Sequence, residues 1–206
     1  PITSIFGFSE LLVNDMVKEP EKVKEYHRNI YFSSKRMIEL ISDILKLYEI
    51  ENNSINDVID IDIRNTILSI ITMLKYKIDS KNIKVFLDGN ATYSMNYDHA
   101  IELFTNLIDN AIKYNIENGN ININIYENKE NVIVSISDTG IGIPNQELDK
   151  IFDRFYRVDK SRNNKIPGTG LGLSIVKQIL EIYSSRVEVE NYDKGSKFII
   201  YLNKLL

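Results

Sequence analysis

The sequence predicts an α+β fold in which a helical hairpin precedes a two-layer domain of helices packed on a mixed β-sheet. Three observations support this fold class. Apolar residues follow a heptad pattern through residues 20–51, a polar stretch at residues 51–57 ends that pattern, and the rest of the chain mixes alternating strands with amphipathic helices. The 206 residues suffice for one small domain and one of ordinary size.

Residues 1–52 are expected to form the hairpin. Residues 1–17 carry apolar side chains at helical spacing, and Pro20 suits the first turn of a second helix. Apolar side chains then recur at every seventh position, at Val23, Ile30, Met37 and Ile44. Two helices cannot bury such a pattern alone, so it favours a homodimer through residues 1–52 that forms a four-helix bundle. The alternative is a hairpin that packs on its own domain.

Residues 53–206 are expected to form the two-layer domain. Strands are predicted at residues 58–63, 83–87, 92–95, 121–125, 132–136, 187–189 and 197–202. Helices are predicted at residues 64–80, 97–114 and 171–183. Apolar residues alternate with polar ones in the fourth and fifth strands, so these two should be neighbours joined by the turn at residues 128–131. Grouped strands with intervening helices indicate one mixed sheet with helices on one face.

Composition argues against several functions. The net charge of −4 and the lack of a basic run argue against nucleic-acid binding. The chain has no cysteine, so neither a disulfide nor a cysteine metal site can form. Its two histidines, His27 and His99, are far apart in the sequence and belong to no ligand cluster, which argues against a zinc enzyme. No apolar stretch of about 18 residues is present, so no membrane contact by this chain is expected.

The first motif with chemical potential lies at residues 106–114, in a predicted helix. Asn106 and Asn110 are four residues apart and therefore share a helix face with Lys113 and Tyr114. An asparagine oxygen can bind Mg²⁺ when phosphates and water complete the coordination shell, a lysine can meet phosphate charge, and a tyrosine can stack on a base. The alternative is an ordinary asparagine-rich surface helix.

Two glycine motifs follow. At residues 138–144, Asp138 ends a predicted buried strand, where a carboxylate needs a partner such as the exocyclic amino group of adenine, and the two glycines after it let the backbone approach a ligand. Residues 168–174 open a helix with three glycines, whose free N–H groups can bind phosphate oxygens. The segment between the two motifs is typical of a mobile lid. A hairpin turn and a flexible loop are the alternatives.

The order and spacing of these motifs, together with the helical hairpin, resemble a sensor histidine kinase of a bacterial two-component system. The N box of that family matches residues 106–114, the G1 box residues 138–142, the F box residues 152–155 and the G2 box residues 168–172. The resemblance covers nearly the whole chain. It implies the two-layer ATPase fold shared with gyrase and MutL-type proteins. It also implies an ATP-dependent protein-histidine kinase that phosphorylates a histidine and then passes the phosphate to a response-regulator aspartate.

The resemblance further implies the cofactors and their ligands. ATP and Mg²⁺ would be the cofactors, with Asn110 as the Mg²⁺ ligand. The ATP-binding residues would be Asn106, Asn110, Lys113, Tyr114, Asp138, Gly140, Gly142, Ile143, Arg154, Phe155, Gly168, Thr169, Gly170, Leu171 and Gly172. Related ATPases place a glutamate general base at the position of Asn106. An asparagine is a poor base, which favours phosphotransfer over hydrolysis.

The sequence departs from the family at two places. Residues 1–5 resemble only the end of the phosphoacceptor box H-E-x-x-[TN]-P, so we expect the phosphate-accepting histidine to precede Pro1 and the 206-residue chain to be a fragment that cannot phosphorylate itself. His27 and His99 are expected to be structural or solvated. Near the C-terminus, residues 182–186 replace the usual H-G-G-like turn.

By the same resemblance, the partners would be a second copy of this chain and the receiver domain of a response regulator. The chain would be cytoplasmic, and its longer parent would lie in the cell membrane. One alternative is a non-catalytic scaffold that dimerises and binds ATP. Another is a serine kinase of the anti-sigma type from the same ATPase superfamily. The heptad hairpin and residues 1–5 disfavour that second alternative.

Overall fold

The computed structural model describes residues 1–52, 57–158, 168–192 and 194–204. Two antiparallel helices form the hairpin, α1 over Ile2–Val13 and α2 over Pro20–Asn52. The elements that follow are β1 (Val58–Asp62), α3 (Ile63–Met73), α4 (Lys75–Ser80), β2 (Lys84–Gly89), β3 (Thr92–Asn96), α5 (Tyr97–Lys113), β4 (Asn120–Glu127), β5 (Asn131–Asp138), α6 (Gly172–Ile182), β6 (Arg186–Tyr192) and β7 (Gly195–Asn203). None of the helices in the described ranges is long and apolar enough to cross a membrane.

The predicted α+β fold class is confirmed. Five strands form the main sheet in the order β2-β4-β5-β7-β6. Strand β2 runs parallel to β4, and the other neighbours are antiparallel. The predicted pairing of residues 121–125 with residues 132–136 is confirmed in β4 and β5, where Ile123 faces Ile136.

The expectation of one sheet is wrong for two strands. Strands β1 and β3 form a separate two-stranded ribbon. The chain leaves β1 for α3 directly at Asp62, whose side chain accepts a hydrogen bond from Asn65 N at 2.9 Å and so caps the helix. The predicted helix at residues 64–80 is also interrupted, at Leu74, between α3 and α4.

One face of the main sheet carries the core. Helix α5 buries an apolar stripe against it, and Asn96 caps the helix by accepting hydrogen bonds from Asp98 N and His99 N. The buried residues of α5 are Ala100, Leu103, Phe104, Leu107, Ile108, Ala111 and Ile112. Because these side chains face inward, the opposite stripe with Asn106 and Asn110 is left to line a cavity.

The end of α2 packs on the second domain. Leu47 and Ile50 are buried there, 5% and 6% exposed. By contrast α1 has no buried residue, and it contacts α2 through pairs such as Phe8 with Tyr26, whose ring centroids are 4.9 Å apart. The hairpin is therefore joined to the second domain through the last turns of α2. The polar stretch that was predicted to be a linker falls mostly on residues 53–56, outside the described residues.

The altered turn at residues 182–186 belongs to a hydrogen-bonded cluster. The Tyr183 hydroxyl accepts a hydrogen bond from Asn96 N at 3.0 Å and lies 2.9 Å from His99 Nδ1. Ser184 takes a φ of 45°, the left-handed conformation that a glycine would adopt without strain. A tyrosine in this turn thus ties α6 to the start of α5.

We expect His99 to make folding stability depend on pH. Burial lowers the pKa of His99, and the charge of Asp98 only partly opposes this. Because the folded pKa lies below the unfolded value, stability is full above about pH 6.5 and falls as the pH drops through the interval between the two pKa values. The free energy of unfolding, measured from pH 8 to pH 5, should decline less for His99→Asn than for the parent chain. If the free energy of unfolding declined equally with pH in both proteins, His99 would not be the source of the pH dependence.

Candidate nucleotide-binding site

A cavity of about 620 Å³ opens between α2, α4, α5, the end of β5 and the start of α6. Most residues of the sequence motifs meet in it. The lining includes Asn106, Asn110, Lys113, Tyr114, Asp138, Gly142, Ile143, Gly168, Thr169, Gly170 and Gly172. The motifs are separated by up to 66 residues in the chain, since Asn106 and Gly172 both contribute. The fold therefore brings three separate polar motifs to one concave site, as ligand sites require.

Helix α5 supplies one wall of the cavity. Asn110 lines it, and no described group hydrogen-bonds its side-chain amide. Asn106 is oriented instead, because its Nδ2 donates to Glu102 O at 2.9 Å and to Glu102 Oε1 at 3.0 Å. The wall thus presents one fixed amide and one amide whose oxygen is available to a ligand.

The cation Lys113 is half-buried at the base of that wall. Burial lowers its pKa, and the charge of Asp109 partly opposes the effect. Its ammonium lies 5.2 Å from the centroid of the Tyr114 ring and against Gly168, where an added Cβ would come within 2.3 Å of Nζ. No carboxylate of the described chain lies within ion-pair distance of Lys113. A half-buried cation without a paired anion suits an anionic ligand such as a phosphate.

The cavity is also lined by the buried carboxylate of Asp138, which is 4% exposed. Its Oδ1 accepts a hydrogen bond from Gly140 N at 2.7 Å, and its Oδ2 accepts one from the Ser196 hydroxyl at 2.6 Å. Each carboxylate oxygen can accept more than one hydrogen bond. Because Asp138 lines the cavity, a donor such as an amino group there can use the remaining capacity.

The glycine-rich loop enters α6 at the cavity. Gly170 has a φ of 81°, and its carbonyl accepts a hydrogen bond from Phe155 N at 2.9 Å. Helix α6 begins at Gly172 without a side-chain cap. The first N–H groups of a helix have no partner within it, and they form a site for anions when no side chain satisfies them.

Four of the predicted ATP-binding residues lie outside the cavity lining. Gly140 packs beneath it, where an added Cβ would be 2.3 Å from Tyr114 O, and Leu171 is fully buried. Phe155 is 57% exposed. Arg154 forms an ion pair with Glu51 of α2. The segment predicted as a lid falls partly on residues 159–167, which lie outside the described residues.

Several cavity residues had no signal in the sequence motifs. Arg157 lies beyond the F box and donates to Gly168 O at 3.1 Å. Lys77 lines the cavity and pairs with Asp109 at 2.5 Å. From α2, Glu39 and Asp43 also reach the cavity. Arg157 could have been suspected from the charge near the F box, but Lys77 and the α2 residues reach the cavity only through tertiary packing.

The cavity offers few protein ligands for Mg²⁺. The described residues contain no cluster of three or more histidine, aspartate or glutamate side chains that could hold a metal ion alone. Mg²⁺ commonly keeps several waters and binds one or two protein oxygens together with substrate phosphates. The available oxygen of Asn110, in a cavity with anion-binding groups, fits that mode of binding.

A helical hairpin precedes a two-layer domain whose cavity contains a buried carboxylate, a half-buried lysine and an uncapped helix N-terminus, an arrangement typical of an ATPase-type domain that follows a helical arm. Two family models match the chain. The model described as "Histidine kinase-, DNA gyrase B-, and HSP90-like ATPase" matches residues 95–205, and "His Kinase A (phospho-acceptor) domain" matches residues 1–53. The chain belongs to the sensor histidine kinase family.

A curated relative agrees with this assignment, and two solved structures agree with the fold. The sensor protein SrrB of Staphylococcus aureus is 33% identical over 99% of this chain, which spans 36% of the SrrB length. Among solved structures, histidine kinase ThkA in complex with response regulator protein TrrA is similar in fold, with a TM-score of 0.78 and 24% identity over 99% of this chain and 57% of that one. Acinetobacter baumannii histidine kinase AdeS gives a TM-score of 0.76 and 21% identity over 100% of this chain and 96% of that one.

Proposed function

We propose that this chain binds Mg-ATP and that the protein containing it transfers the γ-phosphate to a histidine and then to a response-regulator aspartate. Residues 1–52 would be the dimerisation and phosphotransfer hairpin, and residues 53–206 the ATP-binding domain. The observation that carries the proposal is the single cavity that joins the Asp138 carboxylate, the unpaired cation of Lys113 and the uncapped start of α6. These groups suit the base at one end of ATP and its phosphates at the other.

Each group has a distinct task in this proposal. The free acceptor capacity of Asp138 receives the exocyclic amino group of adenine, and Tyr114 stacks on the nucleotide. Lys113 and the N–H groups of α6 bind phosphate oxygens. Asn110 would hold Mg²⁺, which neutralises phosphate charge when bound. Asn106 cannot activate water as a carboxylate base does, so the phosphate is conserved for transfer.

The location and the regulator partner are also proposals. SrrB is named a sensor protein, and this chain spans 36% of it, which supports a longer parent. We place that parent in the cell membrane and this chain on its cytoplasmic side. The fold similarity to ThkA, which was solved with a response regulator, supports a receiver domain as the partner.

Titration calorimetry with Mg-ATP tests the nucleotide site. The parent chain should bind, and Asn110→Ala should bind Mg-ATP about tenfold or more weakly, because one metal ligand is lost. In excess EDTA the two proteins should bind ATP alike, which ties the loss to the metal.

Incubation with γ-labelled ATP should leave the 206-residue chain unlabelled, since we place the acceptor histidine before Pro1.

The outcomes separate the parts of the proposal. No binding by the folded parent chain would refute the nucleotide site. Equal Mg-dependent binding by Asn110→Ala would refute its metal role. Acid-labile label on His27, which is exposed on α2, or on His99 would overturn the assignment of the acceptor.

We propose that the hairpin forms a homodimer. The His Kinase A match covers residues 1–53, and an exposed apolar stripe runs along α2 at heptad spacing. This stripe is displaced by one position from the predicted heptad residues, of which Val23, Ile30 and Met37 are half-buried. Its members are Ile38, Ile41, Leu45 and Tyr48, exposed by 69%, 52%, 56% and 64%. Such a stripe is covered when two hairpins form a bundle. This surface is distinct from Leu47 and Ile50, which already pack on the second domain.

Ile41→Glu should therefore weaken the dimer by about tenfold or more in sedimentation equilibrium, because a charge would be buried in the bundle. The exposed Tyr76 on α4 provides a control, since Tyr76→Glu lies off the hairpin and should leave the dimer intact. A parent chain that stays monomeric at high concentration would contradict the proposal.

A further inference from the structure

Glu102 lies on α5 one helical turn before Asn106 and outside the lining of the cavity. Its side chain is 21% exposed. It makes no contact with the cavity, yet its Oε1 accepts a hydrogen bond from Asn106 Nδ2 at 3.0 Å. Neither the sequence motifs nor the family boxes give this glutamate a role.

The two hydrogen bonds to Glu102 determine which way the Asn106 amide points. One N–H of the amide donates to Glu102 O at 2.9 Å, and the other can donate to Glu102 Oε1. With both N–H groups used on the Glu102 side, the amide oxygen is left on the opposite side. That oxygen lies against the start of α6, where a Cβ added to Gly172 would be 2.6 Å from Asn106 Oδ1.

The Glu102 carboxylate is itself held by the hairpin. Lys46 Nζ lies 2.9 Å from Glu102 Oε2 and 3.1 Å from Oε1. Lys46 belongs to α2, in the same turns that bury Leu47 and Ile50 on the second domain. The chain of contacts therefore runs from the hairpin through Lys46 and Glu102 to the amide of Asn106 in the cavity.

We propose that Glu102 is a positioning residue that fixes the Asn106 amide with its oxygen toward the cavity, where the Mg²⁺ of Mg-ATP would lie, and that Lys46 makes this positioning depend on the docking of the hairpin. The inference rests on the proposed function, because the benefit appears as affinity for Mg-ATP. Without the Glu102 acceptor, one N–H of the amide loses its partner and the amide can turn over. The NH₂ group would then face the Mg²⁺ in place of, or as often as, the oxygen, and an NH₂ group cannot interact favourably with a cation.

A set of variants separates the two contacts of Glu102. Glu102→Ala removes both, Glu102→Gln keeps an oxygen for Asn106 but loses the ion pair, and Lys46→Met removes only the ion pair. Titration with Mg-ATP should show a loss of about five- to tenfold for Glu102→Ala, in line with a hydrogen bond to a charged group. Glu102→Gln and Lys46→Met both lose the ion pair and keep an acceptor for Asn106, so each should lose about two- to threefold.

The background of Asn106→Ala gives the decisive comparison. If Glu102 acts through Asn106, then adding Glu102→Ala to Asn106→Ala should cause no further loss of affinity. A full additional loss in the double variant would overturn the proposal, as would an affinity of Glu102→Ala equal to that of the parent. An equal loss for Glu102→Gln and Glu102→Ala would show that the charge matters and the orientation does not, which also refutes it.

A measurement without nucleotide keeps this test independent of the proposed function. The side-chain amide of Asn106 can be assigned by NMR from the signal pair that disappears in Asn106→Ala. Its hydrogens should exchange with water more slowly in the parent chain than in Glu102→Ala by about fivefold, while Glu102→Gln stays close to the parent. If the parent does not bind ATP but this exchange difference is present, the nucleotide proposal fails and the positioning by Glu102 stands. Identical exchange in all three proteins refutes the positioning.

Discussion

Replacement of Asp138 by asparagine is expected to remove Mg-ATP binding while leaving the fold intact. In the native site Oδ1 accepts from Gly140 N and Oδ2 accepts from the Ser196 hydroxyl. An asparagine can keep its oxygen toward Gly140 N, and its NH₂ can donate to the Ser196 oxygen, because a hydroxyl can accept as well as donate. The fold is thus satisfied, but at the Oδ2 position the acceptor that we expect to meet the adenine amino group has become a donor.

The size of the effect follows from the loss of a charge-assisted hydrogen bond and the opposition of two donors. We expect the dissociation constant for Mg-ATP to rise at least about 50-fold, which corresponds to about 2.3 kcal/mol. Ser196→Ala removes only the supporting hydroxyl, so it should weaken binding less than about fivefold. The midpoint of thermal unfolding should change little for Asp138→Asn, which distinguishes a lost ligand contact from a disturbed core.

The identity of the base offers a second check on Asp138. Guanine carries a carbonyl oxygen where adenine carries the amino group, so the native carboxylate should disfavour GTP. With Asp138→Asn the new donor suits that carbonyl, and the preference for ATP over GTP should shrink or reverse. Calorimetric titrations with both nucleotides measure the ratio. An unchanged ratio, or ATP affinity equal to that of the parent, would show that Asp138 does not contact the base.

Local patterns were sufficient to predict the elements that build the site. Helix α5 was visible because its apolar stripe recurs at helical spacing from Ala100 to Ile112, and β4 and β5 because apolar residues alternate along each of them. The division of one predicted helix into α3 and α4 at Leu74 was not visible. The ribbon of β1 and β3 was missed as well, since which strands pair is a tertiary choice that a strand pattern does not specify.

The motif residues of the cavity could be predicted from the sequence for a different reason. Asn106, Asp138 and Gly168 stand in short segments where residue type, spacing and position at an element boundary carry chemical meaning. Such segments can be recognised before their neighbours in space are known. They converge on one cavity because each lies at the end or on one face of an element that the sheet places there.

Contacts between distant segments had no comparable signal. The Thr169 hydroxyl donates to Asp43 Oδ2 at 2.6 Å, and these residues are 126 positions apart. Lys46 and Glu102 are 56 positions apart. Arg154, which was predicted to bind nucleotide, instead pairs with Glu51. All three contacts depend on the docking of α2, and charged residues on a long helix do not indicate which charged residue they will meet. The nucleotide role of Arg154 stays a prediction that requires this ion pair to open.

Gly195→Ala is expected to be among the most disruptive small substitutions in the chain. A Cβ built at Gly195 would be 2.0 Å from Asp138 O, 2.6 Å from Asp138 C and 2.8 Å from Asp138 Oδ1. Backbone atoms cannot turn aside as a side-chain end can, so β7 would have to move away from β5 at this point. The free energy of unfolding should fall by about 2 to 3 kcal/mol, the cost of overpacking a well-packed site.

The same displacement of β7 should also weaken nucleotide binding. Ser196 follows Gly195 and holds Asp138 Oδ2, so a shift of β7 moves the carboxylate that we expect to meet adenine. Calorimetry at a temperature where Gly195→Ala is folded should show Mg-ATP affinity lowered by about tenfold or more, since a hydrogen bond to a charged group is misaligned. A remote destabilising change would lower stability without this loss.

Gly7→Ala provides the matched control for Gly195→Ala. Gly7 lies inside α1, and no heavy atom would lie within 4 Å of its added Cβ. The same chemical change there should raise stability by about 0.5 to 1 kcal/mol, because alanine loses less backbone entropy in a helix. Denaturant unfolding of both variants tests the pair. If Gly195→Ala unfolds at the same denaturant concentration as the parent, then β7 can yield without cost, and the close approach of Gly195 to Asp138 is not what holds the carboxylate in place.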